Sequence, residues 1–419
     1  MIILSMTTVL ITGVLVFLLV TLMLVGILLY VKKKLTPTGM VTVNINEGNR
    51  VVEVEPGNTL LSTLGNSKIF LPSACGGGGT CGMCRCQVIS GAGSILPTET
   101  DFFTRKEQAE HWRLACQVKV KENIEMHVHQ EILGIKKWEC TVVSNDNVAT
   151  YIKEFVVKLP EGEILDFKSG GYIQIDVPEC EVDFKNFDIS EKYRPEWEKF
   201  KMFDLKMKNP EPTYRAYSMA NHPAEGNIVM LNIRIATPPF DRVNGGFMKV
   251  NPGICSSYIY SLKPGDKVTV SGPYGEFFLK KNDNEMMFIG GGAGMAPMRS
   301  HLFHLFHTVK ETKKNVTFWY GARSWREVFY YEQFRDIEKK FPNFKFNLAL
   351  SDPQPEDKWE GPTGFIHQVI YDNYLSKHEE PEEIDYYLCG PPMMNSAVTK
   401  MLYELGVPDE NVLFDDFGG

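Results

Sequence analysis

The sequence predicts a multidomain chain: one N-terminal transmembrane helix, two strand-rich domains of which the second is an antiparallel β-barrel, and a C-terminal α/β domain on a parallel sheet. Three observations predict it. Met1 to Val31 carries no charged residue, strand-like alternation runs from Val41 towards residue 280, and beyond Lys281 the texture changes to strand, glycine-rich turn and helix. A length of 419 residues exceeds what one core usually organises. The net charge of −8 argues against non-specific binding to nucleic acid, whose phosphates repel such a surface. Nine cysteines, an odd count without paired spacing, argue against a disulfide framework and for a reducing compartment.

Residues 1–34 read as the membrane anchor. The run is dominated by Leu, Val, Ile and Met and exceeds the roughly 20 apolar residues that cross the hydrocarbon. A cleaved signal peptide is the rival, but no basic region precedes the run and no small-residue cleavage site follows it. Lys32, Lys33 and Lys34 come next, so the positive-inside bias predicts a single pass with the soluble domains facing the cytoplasm.

Residues 35–133 hold Cys75, Cys81 and Cys84 on one glycine-rich loop, with Cys116 farther on. Thiolates are the soft ligands of iron-sulfur clusters, and four of them close a two-iron or four-iron centre. The glycines between Cys75 and Cys81 let the backbone wrap an inorganic core closely. Four thiolates also suit tetrahedral zinc, although zinc sites usually pair two C-x2-C knuckles and only one close pair exists here. Cys86 is read as structural, because the ligand count is already filled. Flanking runs such as Val41-Thr-Val-Asn-Ile read as half-buried strands. The set Cys75, Cys81, Cys84 and Cys116 resembles the ligands of a β-grasp [2Fe-2S] ferredoxin. Five residues separate the first two cysteines, where the plant type has four, a spacing similar to that of hydroxylase-type ferredoxins.

Residues 134–280 continue in strands such as Phe155-Val-Val-Lys-Leu and Tyr172-Ile-Gln-Ile-Asp-Val. Charge, aromatics and proline interrupt them between about Glu179 and Pro212, which is either an inserted contact surface or a solvated connection. Arg215-Ala-Tyr217-Ser218 then resembles the Arg-x-Tyr-Ser signature of the ferredoxin-NADP reductase superfamily. The residue types suit a flavin: a planar Arg fork for the diphosphate, a flat Tyr face for the ring, and a Ser hydroxyl for a reactive nitrogen. Gly253-Ile-Cys255-Ser256 resembles the family's diphosphate-binding turn, and Gly272-Pro-Tyr-Gly-Glu-Phe277 the close of the barrel. The resemblance implies an FAD-binding domain in which Arg215, Tyr217, Ser218, Gly253, Cys255 and Ser256 hold the flavin.

Residues 281–419 open with Met286-Met-Phe-Ile running into Gly292-Ala293-Gly294-Met-Ala-Pro297 and a helix, a strand-to-helix turn suited to a dinucleotide diphosphate. Ala293 stands where the family has threonine. Cys389-Gly390-Pro391 resembles the turn that the family sets beside the nicotinamide, and Phe417 the terminal aromatic that covers the flavin. Ser218, Cys389 and Phe417 are therefore the expected catalytic residues, and Gly292, Ala293, Gly294, Pro297, Gly390 and Pro391 the expected NADH contacts. Ser324 and Arg326 lie near where a 2′-phosphate would sit in NADPH-using relatives, and Glu327 would oppose it. His301, His304 and His307 recur every three residues, not the four that pairs ligands on one helix face, and are read as structural.

The whole arrangement resembles the electron-input components of sodium-translocating NADH:quinone oxidoreductases. That resemblance implies hydride transfer from NADH to FAD, single electrons to the cluster, and delivery to membrane subunits of a multi-subunit sodium-pumping complex that reduces quinone at a bacterial inner membrane. Two other readings stay open: a membrane-tethered oxygenase reductase, and a redox-inactive anchoring component that kept the fold.

Overall fold

The computed structural model describes residues 6–35, 39–241, 243 and 245–415. The chain divides into two compact units, the first comprising Met1–Leu71 with Gly82–Leu133 and the second Pro72–Cys81 with Gly134–Gly419.

The first unit begins with helix α1, Met6–Leu35. Its Ile11–Val31 stretch is long and apolar enough to cross a membrane, and none of that window is buried. Twenty-one residues in a helix span about 31 Å, close to the hydrocarbon thickness. The domain that follows is built from β1 (Val41–Ile45), β2 (Arg50–Val54), α2 (Leu60–Asn66), β3 (Arg85–Ser90), α3 (Arg105–Ala109), β4 (Trp112–Leu114) and β5 (Ile124–His127). The strands form one mixed sheet in the order β2-β1-β5-β3-β4, with β1 and β5 parallel. Alternate residues of β1 (Val41, Val43 and Ile45) point into a core shared with Leu60, Leu64, Leu114 and Ile124. The side chain of Thr59 accepts from the Ser62 N–H to start α2, and Thr104 with Glu107 makes a reciprocal capping box on α3.

The second unit contains two layers of architecture. Six antiparallel strands, β6 (Lys136–Ala149), β7 (Ile152–Lys158), β8 (Tyr172–Val177), β11 (Thr213–Ser218), β12 (Ile228–Arg234) and β15 (Lys267–Tyr274), run in the order β11-β8-β15-β6-β7-β12. A bridge between Met219 and Leu231 joins the two outer members, which closes the barrel and removes its edges. The stretch between β8 and β11 folds as the pair β9 (Cys180–Asp183) and β10 (Lys206–Asn209) with α4 (Arg194–Lys199) between them. It is not a solvated connection: Tyr193 and Trp197 are fully buried in the barrel core. A short hairpin, β13 (Phe240–Asp241) with β14 (Gly246–Phe247), precedes α5 (Ile254–Ser261).

The C-terminal layer alternates β16 (Met286–Gly291), α6 (Met295–Phe303), β17 (Val316–Ala322), α7 (Tyr331–Lys340), β18 (Phe344–Leu350), α8 (Ile366–Asn373), β19 (Asp385–Cys389), α9 (Pro392–Glu404) and β20 (Val412–Phe414). Its five strands are all parallel, in the order β18-β17-β16-β19-β20. The chain reverses direction of winding between β16 and β19, and ligands of open parallel sheets bind at such a switch point, beyond the carboxyl ends of the strands. β16 is buried along its whole length, as a central strand covered on both faces must be.

Candidate functional site

Both turns expected to hold the dinucleotide leave the sheet at that switch point. β16 ends in Gly291 and runs into Gly292–Gly294 and α6, while β19 ends in Cys389 and runs into Gly390, Pro391 and α9. The two turns are in contact. A Cβ placed on Gly294 would lie 1.9 Å from the Cys389 carbonyl oxygen, so only glycine fits where the turns cross. The Tyr320 hydroxyl donates to the Gly292 carbonyl at 3.2 Å and steadies the loop from the neighbouring strand. Ala293 and Gly390 are half-buried, Pro391 is exposed, and Pro297 is buried in the first turns of α6.

The barrel residue Ser218 reaches the same place. Its hydroxyl donates to Asp415 Oδ2 at 2.5 Å, and the Cys389 thiol lies 3.9 Å from that same oxygen. Asp415 is fixed by its N–H, which donates to the Leu388 carbonyl at 3.0 Å. Ser218 and Cys389 are thus brought together by a third residue, Asp415, that no motif in the sequence singles out. Phe417 lies outside the described residues.

Farther along the barrel, Arg215 is half-buried, with Nη1 donating to the Tyr214 carbonyl at 2.7 Å and to Thr213 Oγ1 at 3.1 Å. Tyr217 and Cys255 face one another. Burial raises the Tyr217 phenol well above its ordinary range, with the Cys255 thiol adding to the effect, and burial pushes the Cys255 thiol up to about 12. Cys255 is therefore a neutral thiol inside the barrel, so what it offers outward is the peptide N–H at the head of α5. Gly253 stands before that helix; Ser256 Oγ accepts from the Ala236 N–H and donates to the Gly253 carbonyl, which rigidifies the turn. The first N–H groups of a helix suit an anion such as a diphosphate.

The cysteines form two pairs. In the second unit the Cys81 thiol donates to Cys75 Sγ at 3.4 Å, and this contact lowers the Cys75 thiol strongly. In the first unit the Cys116 side chain bonds to Cys84 and, with burial, raises it. The ladder explains the second pair: Arg85 is registered opposite Leu114, and the Ala115 N–H donates to the Cys84 carbonyl at 2.8 Å, so Cys84 enters β3 where Cys116 leaves β4. Among the described residues no three or more His, Cys, Asp or Glu side chains group around one point as a single metal ion requires. A two-iron cluster takes its four cysteines as two on each iron, whereas zinc takes four ligands on one ion. Cys86 is buried, and burial pushes its thiol up to about 12, as for a structural residue.

The segment Pro72–Cys81 packs on the barrel strands of its own unit. Gln174 Nε2 donates to the Ser73 carbonyl at 3.3 Å. A Cβ on Gly76 would lie 2.6 Å from Arg215 Nη1, and its φ of +68° is one that side chains disfavour, so glycine alone lets this segment lie on the Arg215 strand.

Two groups singled out in the sequence have definite surroundings. Glu327 has a partner in the barrel: the N–H of Thr150 donates to Oε2 at 3.3 Å and the Thr150 hydroxyl donates to Oε1. The three histidines do not share one helix, because α6 widens into a π-helical turn over His304–Val309. His301 is buried against Phe277 and Tyr387, and burial lowers it to about 3, so it stays neutral.

Comparison with known proteins agrees with this layout. Residues 43–121 match the 2Fe-2S iron-sulfur cluster binding domain, 197–279 the oxidoreductase FAD-binding domain, and 288–400 the oxidoreductase NAD-binding domain. The chain is 54% identical to the F subunit of the Na(+)-translocating NADH-quinone reductase of Pseudoalteromonas atlantica, over 97% of this chain and 98% of that protein. It is likewise 54% identical to the corresponding protein of Klebsiella pneumoniae, over 98% and 99%. Among solved structures, the Amycolatopsis cytochrome P450 reductase GcoB superposes with a TM-score of 0.61 at 24% identity, covering 90% of this chain and 98% of that one. The ferredoxin reductase of carbazole 1,9a-dioxygenase gives 0.58 at 23%, covering 91% and 99%. These last two likenesses are of fold.

Proposed function

The chain belongs to the family of F subunits of Na(+)-translocating NADH-quinone reductases, and from that premise we propose that it is the electron-input component of a multi-subunit membrane complex, passing electrons towards quinone through partner subunits. It is an oxidoreductase that takes electrons from NADH through FAD to an iron-sulfur centre. The flavin, when bound, accepts hydride and releases electrons singly, and the cluster carries one at a time.

Cys75, Cys81, Cys84 and Cys116 hold the cluster. Arg215 and the N–H groups that follow Gly253, at Cys255 and Ser256, would hold the flavin diphosphate, and Tyr217 would offer its face to the ring. Gly292, Ala293 and Gly294 cradle the dinucleotide diphosphate, Pro297 fixes the start of α6, and Gly390 and Pro391 border the nicotinamide. Ser218 and Cys389 would face the reacting atoms; Phe417, the aromatic expected to cover the flavin, lies outside the described residues. Asp415 orients the Ser218 hydroxyl. With NADH bound, the Asp415 carboxylate would stabilise positive charge developing beside it.

The apolar helix α1 is compatible with a membrane-anchored protein. In our reading it crosses a bacterial inner membrane once, and Lys32–Lys34 keep the redox domains on the cytoplasmic side. The observation that carries the proposal is the packing of the Cys75–Cys81 segment on the barrel strands at Arg215 and Gln174, close to residues we assign to the flavin. The test is NADH-driven quinone reduction in membranes with and without sodium. Stimulation by sodium supports the proposal; sodium-independent electron flow to a hydroxylase sinks it.

A further inference from the structure

Thr150, in the turn between β6 and β7, is 1% exposed, and all its polar groups are committed to two distant parts of the unit. Its N–H and hydroxyl both donate to the Glu327 carboxylate. Its carbonyl accepts from Trp197 Nε1 at 2.7 Å. The insertion grips this turn at two further points: the Tyr193 hydroxyl donates to the Val148 carbonyl at 2.9 Å, and the Ser190 N–H donates to Asn147 Oδ1 at 3.0 Å. Trp197 is itself held in a buried aromatic cluster with Tyr260, Phe187 and Phe203.

Glu327 ends the short turn that follows β17. Gly321 of that strand is registered opposite Gly291 of β16, so this turn emerges beside the Gly292–Gly294 loop at the carboxyl edge of the sheet. In doubly wound sheets the turn after the second strand handles the ribose end of a dinucleotide. The turn is fixed on its other side by Asp357, whose Oδ2 accepts from the Trp325 N–H at 3.1 Å, and by the Asp352 N–H, which donates to the Arg323 carbonyl at 2.7 Å. The one tie from this turn to the barrel among the described hydrogen bonds runs through Glu327 and Thr150.

We propose that the insertion, residues 179–212, sets the position of the nucleotide-binding turn Arg323–Glu327 through the line Trp197–Thr150–Glu327, making Thr150 and Glu327 positioning residues for NADH. The inference rests on the functional reading above. Glu327 acts by where it is held, since Thr150 engages both carboxylate oxygens, and not by presenting its charge to a 2′-phosphate.

The test uses the full chain with its cofactors, measuring NADH oxidation by a flavin-level artificial acceptor. Thr150→Val and Trp197→Phe, which remove one hydroxyl and one indole N–H, should each raise KM for NADH about five- to tenfold while kcat stays within about twofold. Thr150→Ser should restore KM to near the parent value. The double variant should be little worse than either single one, as members of one line are not additive. Unchanged KM in Thr150→Val and Trp197→Phe, or an equal fall in kcat, overturns the proposal. So does a change in the NADPH-to-NADH ratio in Glu327→Gln without a KM effect in the other two. If Trp197→Phe loses flavin, Tyr193→Phe takes its place with the same expectation. A parent protein that does not oxidise NADH would instead refute the underlying functional reading.

Discussion

Ser218, Asp415 and Cys389 show what a single side chain contributes. A buried serine hydroxyl needs an acceptor, and Asp415 supplies one at 2.5 Å, which fixes the hydroxyl rotor; under the proposed function this sets a carboxyl group beside the reacting atoms. Asp415→Asn keeps the size and removes the charge, so it should lower kcat about ten- to a hundredfold with little change in KM or flavin content. A raised KM with unchanged kcat would mean that Asp415 only helps to bind nucleotide. Ser218 and Cys389 are legible in the sequence because each sits in a short motif whose chemistry is local. Asp415 is not, because its partners are 197 and 26 positions away and nothing in Asp415-Asp416 says which carboxylate turns inward. The attachment of Glu327 is hidden for the same reason: its neighbours Ser324 and Arg326 point only to the place of a 2′-phosphate, and its partner lies 177 positions earlier.

Element boundaries and periods are more visible than their attachments. Alternation in β1 and the apolar run of β16 announce one half-covered and one fully covered strand, and the glycines after β16 mark the switch point. The insertion is ambiguous in sequence because its charged surface hides the apolar contacts of Trp197 and Tyr193, which form only against the barrel. The β3–β4 ladder depends on another hidden attachment. Glu99 accepts two hydrogen bonds from Arg113 Nε, one from Nη2 at 2.7 Å and one from the Leu114 N–H at 2.9 Å, while Arg113 Nη1 donates to the Ala92 and Gly93 carbonyls. Both side chains are buried, at 5% and 0% exposure. Glu99→Gln would leave Arg113 charged and poorly compensated, costing about 3–5 kcal/mol and loosening Cys116 just beyond β4. Denaturant unfolding followed by cluster absorbance checks this, and a variant as stable as the parent would show that the pair does not hold the ladder.

At the scale of the molecule, one unit carries the apolar helix and a mixed sheet and the other a barrel joined to a parallel sheet, and this second unit is tied within itself by charge and hydrogen bonds. Arg299 bonds to Glu225 and to the Ala220 carbonyl, Ser300 to the Asn221 carbonyl, and Tyr330 to Asn232, so barrel and sheet are held to one another. The layout of cofactor modules can be read from motif order along the sequence, whereas these ties join residues far apart in the chain. The central claim is that electrons leave the flavin only through the four-cysteine cluster. Cys116→Ser tests it, since Cys116 belongs to the first unit and the Arg215 strand to the second. NADH oxidation by a flavin-level acceptor should stay within about twofold of the parent while quinone reduction in the assembled complex is abolished. Quinone reduction that persists in a cluster-free variant would contradict it.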